Sequence, residues 1–436
     1  MSIGRTTADK GPDIISRTSG FAVLLSWCLY DWANSAFPAV ISTFVFAVYF
    51  TQNVAADPVT GSVVWSQAVT GAGLAIALLS PVFGAVADQT GRQKVWLIFF
   101  TTICVVCCSL LWFIRPNPDH VSGALVIYIA AAVSFGIAMV FYDAMLTRLV
   151  SPDWFGRLSG IGWAAGYTGG LICLLLVLFA FVEPKSSLFA FDREEGEHVR
   201  AATVFVALWY LLFSLPLFLS RIDETGVARP FSEAAGAGLV RLRDTLRGMP
   251  ERPVVARYLV AHMLAADGLT TLILFGGVYA AGTFGFEIAE ILLFAIVLYV
   301  LAGLGAAGFG WLDDRIGSKA VIMFALSAIF VLVAGLVVAQ SKAQFWILGT
   351  GLGLFIGPAQ SSSRSMMARL TPPGVSAEFF GLYSLAGKVT VFVGPLLFGL
   401  MTSIAHSQRA GFAVILLFLG AGLIVLRPVQ EPGSGR

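Results

Sequence analysis

"GAVADQTGRQK", residues 84–94, follows a long apolar run, and its pattern returns in "GWLDDRIGSK", residues 310–319. Two glycines and one aspartate keep the same spacing in both stretches: Gly84, Asp88 and Gly91 match Gly310, Asp314 and Gly317. A second landmark repeats in the same order, because Arg148-Leu149 matches Arg369-Leu370. Self-similarity of this kind indicates that the chain consists of two related halves.

The composition places both halves in a membrane. Of the 436 residues, 58% are hydrophobic and only 12% are charged, whereas about 25% of the residues in a soluble domain are charged. Apolar runs of about twenty residues, the length that crosses a bilayer as a helix, recur along the whole chain. A membrane β-barrel would instead show short segments of alternating polarity. The sequence therefore predicts an all-α polytopic membrane protein.

We predict twelve transmembrane helices, called spans 1 to 12 below, in two pseudo-symmetric six-helix halves. The predicted ranges are 21–48, 63–87, 95–114, 122–145, 158–182, 201–220, 254–282, 287–311, 320–339, 344–367, 378–402 and 410–427. The corresponding organisation is an N-terminal segment 1–20, a first half 21–220, a linker 221–253, a second half 254–427 and a tail 428–436. The linker pattern is compatible with an amphipathic helix lying on the membrane surface.

Lysine and arginine predict the orientation, because cytoplasmic loops carry an excess of both. Most of them fall on the side where the even-numbered spans end, and this assignment counts Arg364 and Arg369 among the cytoplasmic charges. Both termini are therefore predicted to be cytoplasmic. The short loops favour a bacterial inner membrane as the location.

The repeated loop resembles the signature loop of the major facilitator superfamily. Four further stretches resemble its UMF1 family, which is related to the Atg22-like vacuolar effluxers: "YDWANSAF" (30–37), "SGIGWAAGYTGG" (159–170), "SSRSMMARLTPP" (362–373) and "EFFGLYSLAGKVTVFVGPLLFG" (378–399). The resemblance implies the major facilitator fold, transport of a small solute by alternating access, and a central cavity lined by spans 1, 4, 7 and 10. It associates the Atg22 branch with amino-acid efflux.

The repeated loop also suggests a cytoplasmic gate. Glycine permits sharp turns, and an aspartate at the end of one helix can face the positive N-terminus of another. Basic residues there can pair with an acid, and we expect Asp143 to contact Arg92 or Arg148. The predicted gate consists of Gly84, Asp88, Gly91, Arg92, Asp143, Arg148, Asp314, Arg315 and Arg369.

Charged residues inside apolar runs are the main functional signal. A charge near the bilayer centre costs at least about 2.5–3.5 kcal/mol, so it marks a cavity or a partner. Asp31 in span 1, Asp267 in span 7 and Lys388 in span 11 lie at similar depth. Asn34 and Thr271 follow the two aspartates at helical spacing and share their faces. Both aspartates are expected to face the cavity.

Three roles remain open for Asp31. It can carry a proton, bind a cationic group of the substrate, or form a structural ion pair with Lys388. Lys388 by itself could hold a substrate carboxylate, which would suit an amino acid or an organic anion. Further side chains could line the path: Trp32, Gln67, Trp163 and Gln360.

These observations favour a proton-coupled secondary transporter of a small polar solute. The sequence has no phosphate-binding Walker loop, and its four histidines are scattered without a metalloprotease or hydrolase motif. We therefore expect no enzyme activity, no cofactor, no metal site and no nucleic-acid partner. The expected partners are the solute, protons and the lipid bilayer, and a monomer is favoured. A non-transporting sensor on a transporter scaffold is the alternative.

Overall fold

The computed structural model describes residues 20–182, 191–222 and 231–432. The predicted N-terminal segment, apart from its last residue, and the end of the tail lie outside these ranges. Within them the structure contains twelve long helices at the places of the predicted spans. In order they are Phe21–Val54, Pro58–Thr90, Gln93–Phe113, Pro118–Leu149, Pro152–Val182, Glu197–Leu219, Pro253–Phe284, Ile288–Ile316, Ser318–Val338, Lys342–Leu370, Ser376–Ala405 and Gln408–Leu426.

Eleven of the helices in the described ranges are long and apolar enough to cross a membrane. The remaining one is span 10, Lys342–Leu370, which is long enough but less apolar. Its second half carries Gln360, four serines, Arg364 and Arg369. The polar character of span 10 therefore comes from residues that the folded bundle buries, as shown below.

The two halves meet along two helix pairs that the internal repeat relates to each other. Span 2 packs on span 11, and span 5 packs on span 8. Glycine permits both close approaches. A Cβ atom on Gly84 would lie 2.1 Å from the Ala377 carbonyl oxygen, and one on Gly310 would lie 2.6 Å from the Gly156 carbonyl oxygen. The repeated glycines thus lie at the contact between halves.

One end of the bundle holds the beginning of span 1 and the end of span 12, and we call it the terminal face. At this face the Asp88 carboxylate of the first half accepts backbone hydrogen bonds from Ala377 (3.2 Å) and Glu378 (2.8 Å). These two N–H groups belong to the first turn of span 11 in the second half. Carboxylates stabilise helix N-termini because the first N–H groups have no partner within the helix.

Asp314 makes the pseudo-symmetric contact in the opposite direction. It ends span 8 of the second half and accepts backbone hydrogen bonds from Gly156 (2.8 Å) and Arg157 (3.0 Å) in span 5 of the first half. Arg369 also binds Asp314, at 3.1 Å. Each half therefore caps a helix of the other, as the sequence pattern suggested for these two aspartates, and the terminal face is closed.

The other predicted gate residues lie around these two caps. Gly91 ends span 2 with a left-handed backbone, φ 65°. Arg148 interacts electrostatically with Asp88. Arg92 is exposed, and Arg315 stacks on the Trp311 ring with 3.4 Å between its guanidinium carbon and the ring centroid. The one predicted member that lies elsewhere is Asp143, which lies in the interior.

The linker contains a helix, Phe231–Arg247, which packs against span 2. Gly238 allows this approach, because a Cβ atom there would lie 2.9 Å from the Val86 backbone nitrogen. Arg241 of the linker helix forms an ion pair with the buried Glu378 of span 11, at 3.5 Å. The linker helix therefore contacts both halves at the terminal face.

Removal of one cap is expected to open the terminal face. We expect Asp88→Ala to cost the closed state about 1 kcal/mol, the usual value of a helix cap. Spin labels at Asp153→Cys and Ile316→Cys, two exposed positions in opposite halves, report the opening as a longer distance in pulsed electron resonance. The five native cysteines are buried, so labelling is selective.

Asp57 provides a matched control for this prediction. It caps span 2 at the opposite end of the helix by accepting from the backbone of Val59 and Thr60, both at 3.0 Å. That cap lies within one half, so Asp57→Ala should leave the label distance unchanged. Equal distance distributions in the two variants would contradict a gating role for Asp88.

Candidate functional site

An arginine of the second half penetrates the first half. Arg364, on span 10, is only 2% exposed. Its guanidinium Nη1 lies 3.2 Å from Asp31 Oδ2 on span 1 and 3.1 Å from Asp143 Oδ1 on span 4. One buried cation is thus shared by two buried carboxylates across the boundary between the halves.

The remaining donors of Arg364 bind span 5. Its Nε donates to the Ser159 hydroxyl oxygen at 2.9 Å, and its Nη2 donates to the Ser159 carbonyl oxygen at 2.8 Å. Aromatic rings surround the guanidinium carbon, with centroids at 4.8 Å for Trp27, 5.5 Å for Tyr142 and 5.7 Å for Trp163. Hydrogen bonds to the planar fork and cation–π contacts compensate for the loss of hydration.

Asp31 is held by its own half. The Tyr142 hydroxyl donates to Asp31 Oδ2 at 3.0 Å, and the Asn34 amide donates to Asp31 Oδ1 at 3.3 Å. The Trp27 and Tyr142 rings stack with 4.4 Å between centroids. A Cβ atom on Gly162 would lie 3.0 Å from both Asp31 Oδ2 and Arg364 Nη2, so glycine leaves room for the ion pair.

The structure corrects three expectations about these charges. The predicted ion pair of Asp31 with Lys388 is wrong, because Arg364 is the counter-charge of Asp31. The predicted contact of Asp143 with Arg92 or Arg148 is wrong, because Asp143 pairs with Arg364. The count of Arg364 among cytoplasmic loop charges is also wrong, since its side chain is buried in the bundle.

A cavity of about 280 Å³ lies between the halves beside this cluster. The first half contributes Asp143 and Trp163 to its wall, and the second half contributes His262, Gln360 and Lys388. Both halves therefore line the cavity. A binding site between two repeats is the arrangement found in transporters that work by alternating access.

Asp31 and Asp267 do not line the cavity among the described residues. Asp31 accepts hydrogen bonds from Tyr142 and Arg364 instead. Asp267 is 3% exposed and faces span 11, where Thr390 hydrogen-bonds its carboxylate. Thr271 donates from its hydroxyl to the Asp267 carbonyl oxygen at 2.8 Å. The expectation that both aspartates face the cavity is corrected accordingly, because Asp143 is the aspartate on its wall.

The predicted lining residues divide into two groups. Trp163 and Gln360 lie on the cavity wall. Trp32 lies between spans 1, 5 and 6, stacked on Trp209 at 5.9 Å and packed against Gly169. Gln67 is exposed on span 2. The rotation of each span about its own axis decides which of these side chains reach the cavity. Sequence spacing does not define that rotation.

Lys388 lies where span 11 is interrupted. Helical geometry runs over Ser376–Lys388 and Val393–Ala405, and the intervening residues form turns. Pro395 supports the interruption, because it lacks the N–H group that would continue the ladder of hydrogen bonds. Within the described ranges, no group of three His, Cys, Asp or Glu residues could hold a metal ion.

Comparison with known sequences gives the family. The profile described as "Vacuole effluxer Atg22 like" matches residues 59–155 and 155–434. The "Uncharacterized MFS-type transporter YxiO" of Bacillus subtilis (strain 168) is 27% identical over 415 residues, which cover 94% of this chain and 95% of that protein. "Autophagy-related protein 22" of Saccharomyces cerevisiae is 23% identical over 389 residues, 77% of this chain and 71% of that protein.

Comparison with solved structures gives the fold. The proton:xylose symporter XylE superposes with a TM-score of 0.73 at 14% identity, over 95% of this chain and 96% of that one. The transporter FucP in its outward conformation also has a TM-score of 0.73, at 13% identity, over 95% and 100% of the two chains. Both have the major facilitator fold, as predicted. The chain is a membrane transporter of this fold and belongs to the vacuole effluxer Atg22-like family.

Proposed function

We propose that this protein is a proton-coupled secondary transporter that moves a small polar solute by alternating access. The observation that carries the proposal is Arg364 of the second half bound to Asp31 and Asp143 of the first. Two carboxylates face one guanidinium, so the cluster has a net negative charge until one proton binds. A charge cluster that joins the halves and can take a proton is suited to couple protonation to conformation.

The coupling step follows from the energetics of buried ion pairs. A proton that binds a carboxylate oxygen of Asp31 or Asp143 weakens the attraction to Arg364. A buried arginine with weakened partners is unfavourable, so the state in which the halves separate and water reaches the guanidinium gains population. Loss of the proton restores the ion pairs and favours closure of the terminal face.

The substrate and the orientation belong to the same proposal. The solute is an amino acid or a related organic ion, as the resemblance to the Atg22 branch implies. The terminal face is cytoplasmic, so the present structure is closed to the cytoplasm. The membrane in which the protein functions is a bacterial inner membrane. XylE and FucP, named as proton symporters, are precedents for proton coupling on this fold.

Asp31→Asn tests the coupling directly. We expect the variant to insert and fold, because Asp143 and Arg364 then form a neutral pair. Solute-driven proton uptake should be lost at every pH tested between about pH 5 and pH 8, because the asparagine amide cannot take up a proton in place of the carboxylate. Proteoliposomes that contain a pH-sensitive dye measure the uptake after addition of each of the common amino acids and of short monocarboxylates.

Asp119→Asn serves as the matched control, because Asp119 is exposed in the first turn of span 4. It should transport as the unmodified protein does. Proton uptake by Asp31→Asn at the unmodified rate would remove Asp31 from the coupling mechanism. Solute uptake without any proton movement in the unmodified protein would reject proton coupling as such.

A further inference from the structure

We infer that the cavity binds an organic monocarboxylate with an apolar body, and that Lys388 holds the carboxylate. This inference rests on the proposed transport function and specifies its substrate class. The hydrogen-bond donors and acceptors on the cavity wall select a monoanion over a zwitterion. The wall offers free donors for an anion, whereas the Asp143 carboxylate on it already binds Arg364.

Lys388 is the first donor. Its side chain is half-buried on the cavity wall. In the parts of the chain that the structure describes, it has no ion pair or hydrogen bond. A buried charge without a partner is unfavourable, and a carboxylate is the partner that a lysine ammonium binds as a charge-assisted hydrogen bond.

Two further donors point to the same ligand chemistry. The Gln360 side chain accepts from the Tyr167 hydroxyl through Oε1, which leaves its amide N–H groups for another acceptor. The Trp163 indole Nε1 is buried without a hydrogen-bond partner among the described residues. An ammonium, an amide N–H and an indole N–H form a set of donors only, and an ionised carboxylate is an acceptor only.

Acceptors on the wall already have partners at Asp143 and Ser363. Asp143 is the sole carboxylate among the described lining residues, and Oδ1 of this residue binds Arg364. The Ser363 carbonyl oxygen accepts from the Tyr258 hydroxyl at 2.5 Å, and the Ser363 hydroxyl lies 3.0 Å from His262 Nδ1. A substrate ammonium group would compete with Arg364 for Asp143. A monoanion is therefore favoured over a zwitterion.

The rest of the wall is apolar and sets the size of the ligand. Its apolar side chains come from spans 4, 7, 9, 10, 11 and 12, and include Phe135, Met139, Leu269, Ile273 and Phe380. The volume of about 280 Å³ is near the lower limit of the roughly 300–1,000 Å³ that ligand pockets have. A short aliphatic or phenyl-substituted carboxylate fits this description.

Three compounds that share a 3-methylbutyl body test the inference: 4-methylpentanoate, leucine and 3-methylbutylamine, which are an anion, a zwitterion and a cation. Titration calorimetry on the purified full-length protein should give the anion an affinity at least about tenfold above leucine, with no binding of the amine. Tighter binding of leucine or the amine overturns the inference. So does a lack of binding by butanoate, 4-methylpentanoate and 3-phenylpropanoate alike.

Variants identify the residues. Lys388→Gln should lower the affinity for 4-methylpentanoate at least about tenfold, and Lys388→Arg should retain most of it. Trp163→Phe keeps an aromatic ring but removes the N–H donor, so it should lower the affinity for 4-methylpentanoate severalfold. This variant keeps the test decisive if Lys388→Gln does not fold. Unchanged affinity in Trp163→Phe, or in a folded Lys388→Gln, overturns the assignment.

The two proposals fail differently. If the monocarboxylate binds through Lys388 but crosses no membrane in proteoliposomes, the transport proposal fails and the site remains. If another solute moves with protons while monocarboxylates do not bind, transport remains and the anion site is rejected. Binding and flux, measured on the same preparation, therefore distinguish the two outcomes.

Discussion

Arg364→Gln is expected to destabilise the protein by about 3–5 kcal/mol, the usual cost of removing one partner from a buried ion pair. Asp31 and Asp143 would remain buried next to each other without their counter-charge. Thermal unfolding in detergent should show a clear loss of melting temperature, and transport should be abolished. Arg221→Gln removes an exposed arginine outside the predicted gate and serves as the control, with little change expected in either measurement.

Compensating substitutions separate the charge effect from the loss of packing. The triple variant Asp31→Asn, Asp143→Asn, Arg364→Gln has no charge left in the cluster, so it should recover most of the stability but no proton coupling. Additive losses from the three substitutions would contradict an interacting cluster, because residues in one network give non-additive effects. A single Arg364→Gln variant with the melting temperature of the unmodified protein would contradict the buried ion pair.

Gly84→Ala is expected to reduce transport at least about tenfold, a change of 1.4 kcal/mol or more in the relevant free energy. The new Cβ atom would lie 2.1 Å from the Ala377 carbonyl oxygen across the boundary between the halves. Because this boundary separates in the alternating access proposed above, the clash is expected to remove the state closed at the terminal face and to leave each half folded. The spin labels at positions 153 and 316 should report a longer distance.

Two other glycines provide the comparison. A Cβ atom on Gly305 would lie 2.1 Å from the Leu354 carbonyl oxygen, but spans 8 and 10 belong to the same half. Gly305→Ala should therefore lower the melting temperature instead of shifting the conformation. Gly71 has no atom within 4 Å of its Cβ position, so Gly71→Ala should be neutral. A loss of stability in Gly84→Ala as large as that in Gly305→Ala would contradict a moving interface.

The fold was predictable because its signals are collective. The apolar content of the chain, the length of its apolar runs and the two copies of the loop pattern each indicate the same architecture. Even the capping role of Asp88 and Asp314 follows from their position at helix ends, where N–H groups of a neighbouring helix need an acceptor. Such features depend on spacing along the chain, and spacing is what a sequence shows directly.

The site was predictable only in part. Asp31 could be identified, because a carboxylate in an apolar run requires a partner or a cavity. Arg364 could not be recognised as that partner, because it lies in the polar run 361–365 near the predicted end of span 10. The helix continues to Leu370, so Arg364 lies inside the bundle. The serines around it were the available signal, since one of them, Ser361, accepts from Ser159 next to the guanidinium.

The sequence by itself determined that the protein is a membrane bundle of two related six-helix halves, where its repeated caps lie, and that charge is buried in span 1. The tertiary structure decided which charges meet: Arg364 binds Asp31 and Asp143, while Lys388 lies on the cavity wall. The physical reason is geometric. Position along a helix fixes the depth of a residue in the membrane, but its partner depends on the rotation and packing of several helices, which side-chain spacing within one helix does not specify.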